Sequence, residues 1–137
     1  MTQILKAEDI LQAAPVLVKE LVEIPEWNGS IWVRELSAEE RDDYSQSLVD
    51  TRQVGRKTVV KPNFRNSDAR MAVMCCVDEE GKRMFKDSDA PRLGKQSSRA
   101  LGRICEVCQR LSGMTKEDIE ELTKNSSTAP SADSPSV

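Results

Sequence analysis

The sequence predicts an α+β fold, predominantly helical, with three to five helices and one N-terminal β-hairpin. Three observations carry that expectation. Two apolar, β-branched runs, 16–24 and 31–36, flank an Asn28-Gly29 pair. Asn-Gly is the strongest short hairpin signal, because both central positions of a type I′ turn need positive φ. Ser37-Ala-Glu-Glu40 has the spacing of a capping box, in which a hydroxyl and a carboxylate satisfy each other's orphan amides at a helix start. Leu101, Ile104, Cys105, Cys108 and Leu111 recur at three- and four-residue spacing, which places them on one helical face.

In chain order, a short amphipathic stretch at 6–14 comes first and Pro15 stops it. If Asn28-Gly29 is a two-residue turn, counting outwards sets Trp27 against Ser30, Ile24 against Val33, Glu23 against Arg34 and Leu21 against Leu36. That register matches apolar with apolar and opposite charges with each other. It also places Pro25 opposite Trp32, which only an edge or a bulge tolerates. The helix opened by Ser37 is expected to reach about Val54 on the surface, since Tyr44, Leu48 and Val49 are its few apolar residues. The polar segment 55–66, with a β-prone centre at Thr58-Val59-Val60, then reads as a mobile loop.

Ser67 and Asp68 can cap a second helix, from Ala69 to about Val77, apolar nearly all round and therefore buried. Asp78-Glu-Glu-Gly81 reads as a turn and Met84-Phe85 as a short extended piece. The striped helix runs from about Gln96 to Leu111 and ends at Gly113. Thr115 caps a last helix over 116–124. The Ser-, Thr-, Ala- and Pro-rich stretch 125–137 has nothing to bury and reads as a disordered tail. One domain over 1–124 is the expected organisation.

Composition narrows the function. The chain has 137 residues, 38% hydrophobic and 31% charged, the balance of a soluble globular protein. Its net charge of −3 argues against whole-surface binding to nucleic acid. No leader-like segment opens it, and its longest apolar run, 71–77, is far short of the roughly 18–20 residues of a membrane span. A cytoplasmic location with reduced cysteines is expected.

Histidine is absent, which removes the commonest general base. No glycine-rich phosphate loop or nucleophile elbow occurs. The paired carboxylates at 39–40, 42–43 and 120–121 fit solvated helix faces. No enzyme activity, cofactor or metal is expected. Cys105-Glu-Val-Cys108 is formally a CxxC, and Cys75 and Cys76 would complete a four-thiolate set for zinc. Both pairs lie in apolar helical stretches, however, where cysteine behaves as a small hydrophobe, and core packing of the two pairs is the expectation. Asp78-Glu-Glu-Gly81 lacks the spacing of an EF-hand loop.

Two features suit a macromolecular partner. Arg52, Arg56, Lys57, Lys61, Arg65 and Arg70 form a basic run that could grip phosphates, cling to a protein, or keep a loop solvated. Phe64 is its only aromatic residue for base stacking. Trp27 and Trp32 flank the hairpin tip, either as exposed hot spots or as packing over the helices. The expected partner-binding residues are Trp27, Trp32, Arg34, Arg56, Lys57, Lys61, Phe64 and Arg65.

The stretch Val22-Glu-Ile-Pro-Glu-Trp-Asn-Gly-Ser-Ile-Trp-Val-Arg-Glu-Leu-Ser-Ala-Glu-Glu-Arg41 resembles the amino-terminal signature of bacteriophage tail assembly chaperones. That signature has a Pro-Glu-Trp, a glycine-containing turn, a Val-Trp-Val-Arg-like strand and a Ser/Thr-Ala-x-Glu-Arg helix start. Glu80-Gly-Lys-Arg-Met-Phe85, Ser88-Asp89 and the closing Leu111-Ser-Gly-Met-Thr-Lys-Glu-Asp-Ile-Glu-Glu121 follow in order, so the resemblance spans about residues 4–125. Asn28 stands where the family commonly has glycine. The resemblance implies a non-catalytic assembly factor that binds the tape measure protein, keeps it soluble, helps recruit tail tube protein, self-associates, and is absent from the finished virion. The alternative is a small adaptor or nucleic-acid-associated regulator acting through 52–70.

Overall fold

A computed structural model describes residues 2–114. The elements run α1 (Ala7–Leu11), β1 (Lys19–Ile24), β2 (Gly29–Arg34), α2 (Ala38–Ser47), β3 (Val49–Val54), β4 (Lys57–Pro62), α3 (Ser67–Cys75), β5 (Cys76–Val77), α4 (Ala90–Leu93) and α5 (Ser98–Leu111). Single 3₁₀ turns occupy Pro25–Trp27 and Asp87–Asp89. The strands make two antiparallel sheets, a three-stranded one in the order β1-β2-β5 and the separate pair β3-β4.

The fold is therefore mixed α/β, not predominantly helical, and it has a second hairpin where none was expected. The expected continuation of α2 to Val54 and the expected mobile loop over 55–66 are both replaced by β3 and β4. Two local features favour strands. Val49, Thr51, Val54, Thr58, Val59 and Val60 supply β-branched positions, whose stiff χ1 suits a pleated surface better than a helix. Gly55, at φ 64°, takes the first place of the two-residue Gly55-Arg56 connection, as a II′ turn requires.

The first hairpin forms, but in a different register. Ile24 faces Gly29, Val22 faces Ile31, Leu21 faces Trp32 and Lys19 faces Arg34. Pro25 is the reason. It cannot donate to a ladder, and its fixed φ suits the first position of a helical turn. The chain leaves the sheet at Ile24, makes the Pro25–Trp27 turn and returns through Asn28 in the left-handed region at φ 53°. Because the slip is even, Val22, Ile24 and Val33 still share the inner face.

The expected capping box at the start of α2 forms. The Ser37 Oγ accepts from the Glu40 amide at 3.1 Å, and the Glu40 carboxylate accepts from the Ser37 amide at 3.0 Å. Helix α3 begins two residues earlier than expected, after Asn66 at φ 56°, so Ser67 and Asp68 lie in its first turn and do not cap it, and it gives its last two expected residues to β5. There Val33 pairs with Cys76 and Trp32 with Val77. The 78–81 turn forms, with the Gly81 amide donating to the Asp78 carbonyl at 3.0 Å. Beyond it a single bridge joins Arg83 to Val77, and Met84-Phe85, expected to be extended, form a bend. The expected helix over 116–124 and the tail at 125–137 lie outside the described residues.

Helix α5 packs on the inner face of β1 and β2 and against α3. The core gathers Val22, Ile24, Val33, Leu36, Met71, Val73, Leu101 and Ile104, and all four cysteines are buried within it. Fully burying each large aliphatic chain contributes about 1.5–3 kcal/mol. The two cysteine pairs meet: the Cys75 thiol is held well above its ordinary range by hydrogen bonding with Cys108 and Cys76 and by burial. Burial also pushes the Cys105 thiol up, beside the Asp68 carbonyl at 3.3 Å.

Candidate partner-binding surface

Strands β3 and β4 form an arm whose residues are mostly exposed. Its register sorts side chains by chemistry. Val49 faces Pro62, Thr51 faces Val60 and Gln53 faces Thr58, so one side of the arm carries no charge. Asp50 faces Lys61, Arg52 faces Val59 and Val54 faces Lys57, so the other side is largely basic. Across 49–65 five cations (Arg52, Arg56, Lys57, Lys61, Arg65) stand against Asp50 alone, a net +4 within a chain whose total is −3.

Arg70, the last member of the basic run, holds the arm's base. Its guanidinium, carried on α3, donates to the Ser47 carbonyl and to the Asn63 carbonyl at 2.7 Å. The Asn63 amide donates to the Leu48 carbonyl at 2.7 Å. An isolated two-stranded hairpin is marginal in water, so these contacts set the arm's direction relative to the body.

The expected partner-binding residues fall into three groups. Arg56 and Lys57 are at the arm's tip, Lys61 is near its base, and Arg65 lies just beyond it, all exposed. Phe64, 42% exposed, lines a shallow hollow with Asn66, Gly94, Gln96 and Leu101. Trp27 is half-buried at the hairpin tip and lines an open cleft of about 510 Å³ with Phe85, Asp89, Arg92, Leu93 and Gln96. Gln96 borders both hollows, so Trp27 and Phe64 belong to one side of the molecule.

Trp32 and Arg34 lie elsewhere, on β2 of the three-stranded sheet. The Lys19 ammonium sits 4.8 Å from the centroid of the Trp32 ring, and Lys19 also donates to the Glu79 carbonyl. Arg34 is turned inward, giving its Nη2 to both Glu40 carboxylate oxygens at 2.8 and 2.7 Å and to the Met74 carbonyl at 2.7 Å. Arg83 reaches the same carboxylate at 2.7 Å and Asp87 at 3.0 Å. Burial works to raise the Glu40 pKa, but the Ser37 amide and the two guanidiniums outweigh it and hold the carboxyl below its ordinary value.

Sequence reasoning missed the uncharged side of the arm, because the period-two alternation of 49–54 was taken for the end of a helix. It also missed the exposed apolar residues before β1: Ile4, Leu5, Ile10, Leu11 and Val16 are all exposed. Among the described residues no group of three or more metal-ligating side chains is gathered, and no helix is long and apolar enough to cross a membrane.

No curated protein and no solved structure matches the chain. The sequence profile described as phage tail assembly chaperone matches residues 7–125, most of the chain. The hairpin, the capped α2 and the striped α5 all lie within that match, and the chain belongs to the phage tail assembly chaperone family.

Proposed function

We propose that this protein binds the tape measure protein of a phage tail, keeps it soluble until the tube is built around it, and helps bring tail tube subunits to it. It acts in the host cytoplasm during infection, performs no bond-making chemistry and is absent from the mature virion. The observation that carries this reading is the β3-β4 arm, offering an uncharged side and a basic side on a firm mount. An elongated helical protein exposes apolar stripes that aggregate when bare. Many copies of a small domain can cover them, each contact weak and the array strong through multivalency. The uncharged side of the arm suits such a stripe, and its cations suit the acidic residues beside it.

Co-expression with the tape measure protein encoded nearby tests this, scored by the soluble fraction of the tape measure. The wild-type chain raises that fraction. The double variant Arg56→Glu, Lys57→Glu lowers it by at least about half while leaving thermal unfolding unchanged, because exposed charges add little to stability. A tape measure equally insoluble with and without the chain contradicts the proposal. The arm's net positive charge also favours a second reading, nucleic-acid binding, which would appear as a linear fall of log affinity with log salt for a duplex of arbitrary sequence.

A further inference from the structure

Among the described residues strand β1 is an edge of the three-stranded sheet, and hydrogen-bond parity shows which of its backbone groups are open there. The Glu35 amide donates to the Val18 carbonyl at 2.8 Å, and these two residues continue the β1-β2 register. In an antiparallel ladder such bonded pairs recur every second residue. Glu20, Val22 and Ile24 therefore direct their amides and carbonyls towards β2. Lys19, Leu21 and Glu23 direct theirs away from it, to the open edge.

The side chains of those same three residues lie on the outer face of the sheet, with Leu21 52% exposed beside Trp32. The Glu23 carboxylate forms no ion pair among the described residues. Charged side chains on an edge deter pairing with an arbitrary strand. Here the two charges, Lys19 over the Trp32 ring and Glu23, are opposite in sign and spaced evenly about Leu21, so they complement a second copy in antiparallel register.

We propose that β1 pairs antiparallel with β1 of a second copy of this chain, with Leu21 on the two-fold axis. In that register Leu21 meets Leu21, and Lys19 of each copy meets Glu23 of the other. All three open residues enter bonded pairs, so backbone parity and charge complementarity select the same alignment. The outer face then gains one apolar row, Trp32–Leu21–Leu21–Trp32, across the seam. A two-fold contact is self-complementary and closes. The inference leaves the tape measure reading untouched, since its test uses the purified full-length chain alone.

Sedimentation equilibrium of the full chain reads the outcome. The wild type dimerises. Glu23→Lys sets cation against cation twice at the seam and weakens dimerisation about tenfold or more, at roughly 1.4 kcal/mol per tenfold. The double exchange Lys19→Glu, Glu23→Lys restores it, with circular dichroism confirming the fold. Leu21→Cys places two thiols at a directly opposed pair, within disulfide reach, so under mild oxidation it cross-links faster than Ser30→Cys on the neighbouring strand. The native cysteines are buried and do not compete. A wild type monomeric up to its solubility limit overturns the proposal. So does undiminished dimerisation of Glu23→Lys, failure of the exchange to restore it, or equal cross-linking at 21 and 30.

Discussion

Glu40 caps α2, accepts from Arg34 and accepts from Arg83, so one carboxylate ties β2, α2 and the 78–87 segment together. The capping half of this role was legible, because it rests on residues three apart. The ion-pair half was not, because Arg83 lies 43 residues away in sequence and nothing local distinguishes it from a solvated arginine. Arg34 shows the same limit from the other side: it was expected to meet a partner, and the fold turns it inward. Glu40→Gln is expected to cost about 1.5–3 kcal/mol in urea unfolding at neutral pH, the range for hydrogen bonds to charged groups. The pH dependence follows from a folded pKa held below the ordinary 4.5. The carboxylate's contribution is fully present above the ordinary value and lost as pH falls through the lowered one. Wild-type stability therefore declines through that acidic range, and the Glu40→Gln profile is flatter there.

At the scale of elements, the existence of the first hairpin was readable and its loop was not. Asn-Gly signals a two-residue turn, but Pro25 competes for a helical turn and prevails, leaving Asn28 alone in the left-handed region. Asn28→Gly is expected to change stability by no more than about 0.5 kcal/mol, while Asn28→Val costs about 1–2 kcal/mol because a β-branched side chain resists that backbone. Thermal melts of the two variants check this. The second hairpin escaped notice for a related reason. Arginine, glutamine and aspartate in 50–53 suit a surface helix as well as a surface strand, and only the pairing of 49–54 with 57–62 decides between them. The β-branched residues and Gly55 are local signs of that hairpin, but only its register shows which residues share a side.

Residues 2–114 form a body with an aliphatic and cysteine core, a basic arm standing off it, and an open sheet edge at β1. The core was legible from the stripe on α5 and the apolar run of α3, since both obey helical periodicity. The separation of charge between arm and body was half legible: the basic run was plain in the sequence, but its assignment to one side of a hairpin required the register. Such a shape suits repeated, reversible attachment along an extended partner. The most direct measurement of that central claim is co-purification of the full chain with the tape measure protein encoded nearby, weighed by light scattering. The account predicts a soluble complex holding several copies of this chain per tape measure. A tape measure that purifies without it contradicts the account.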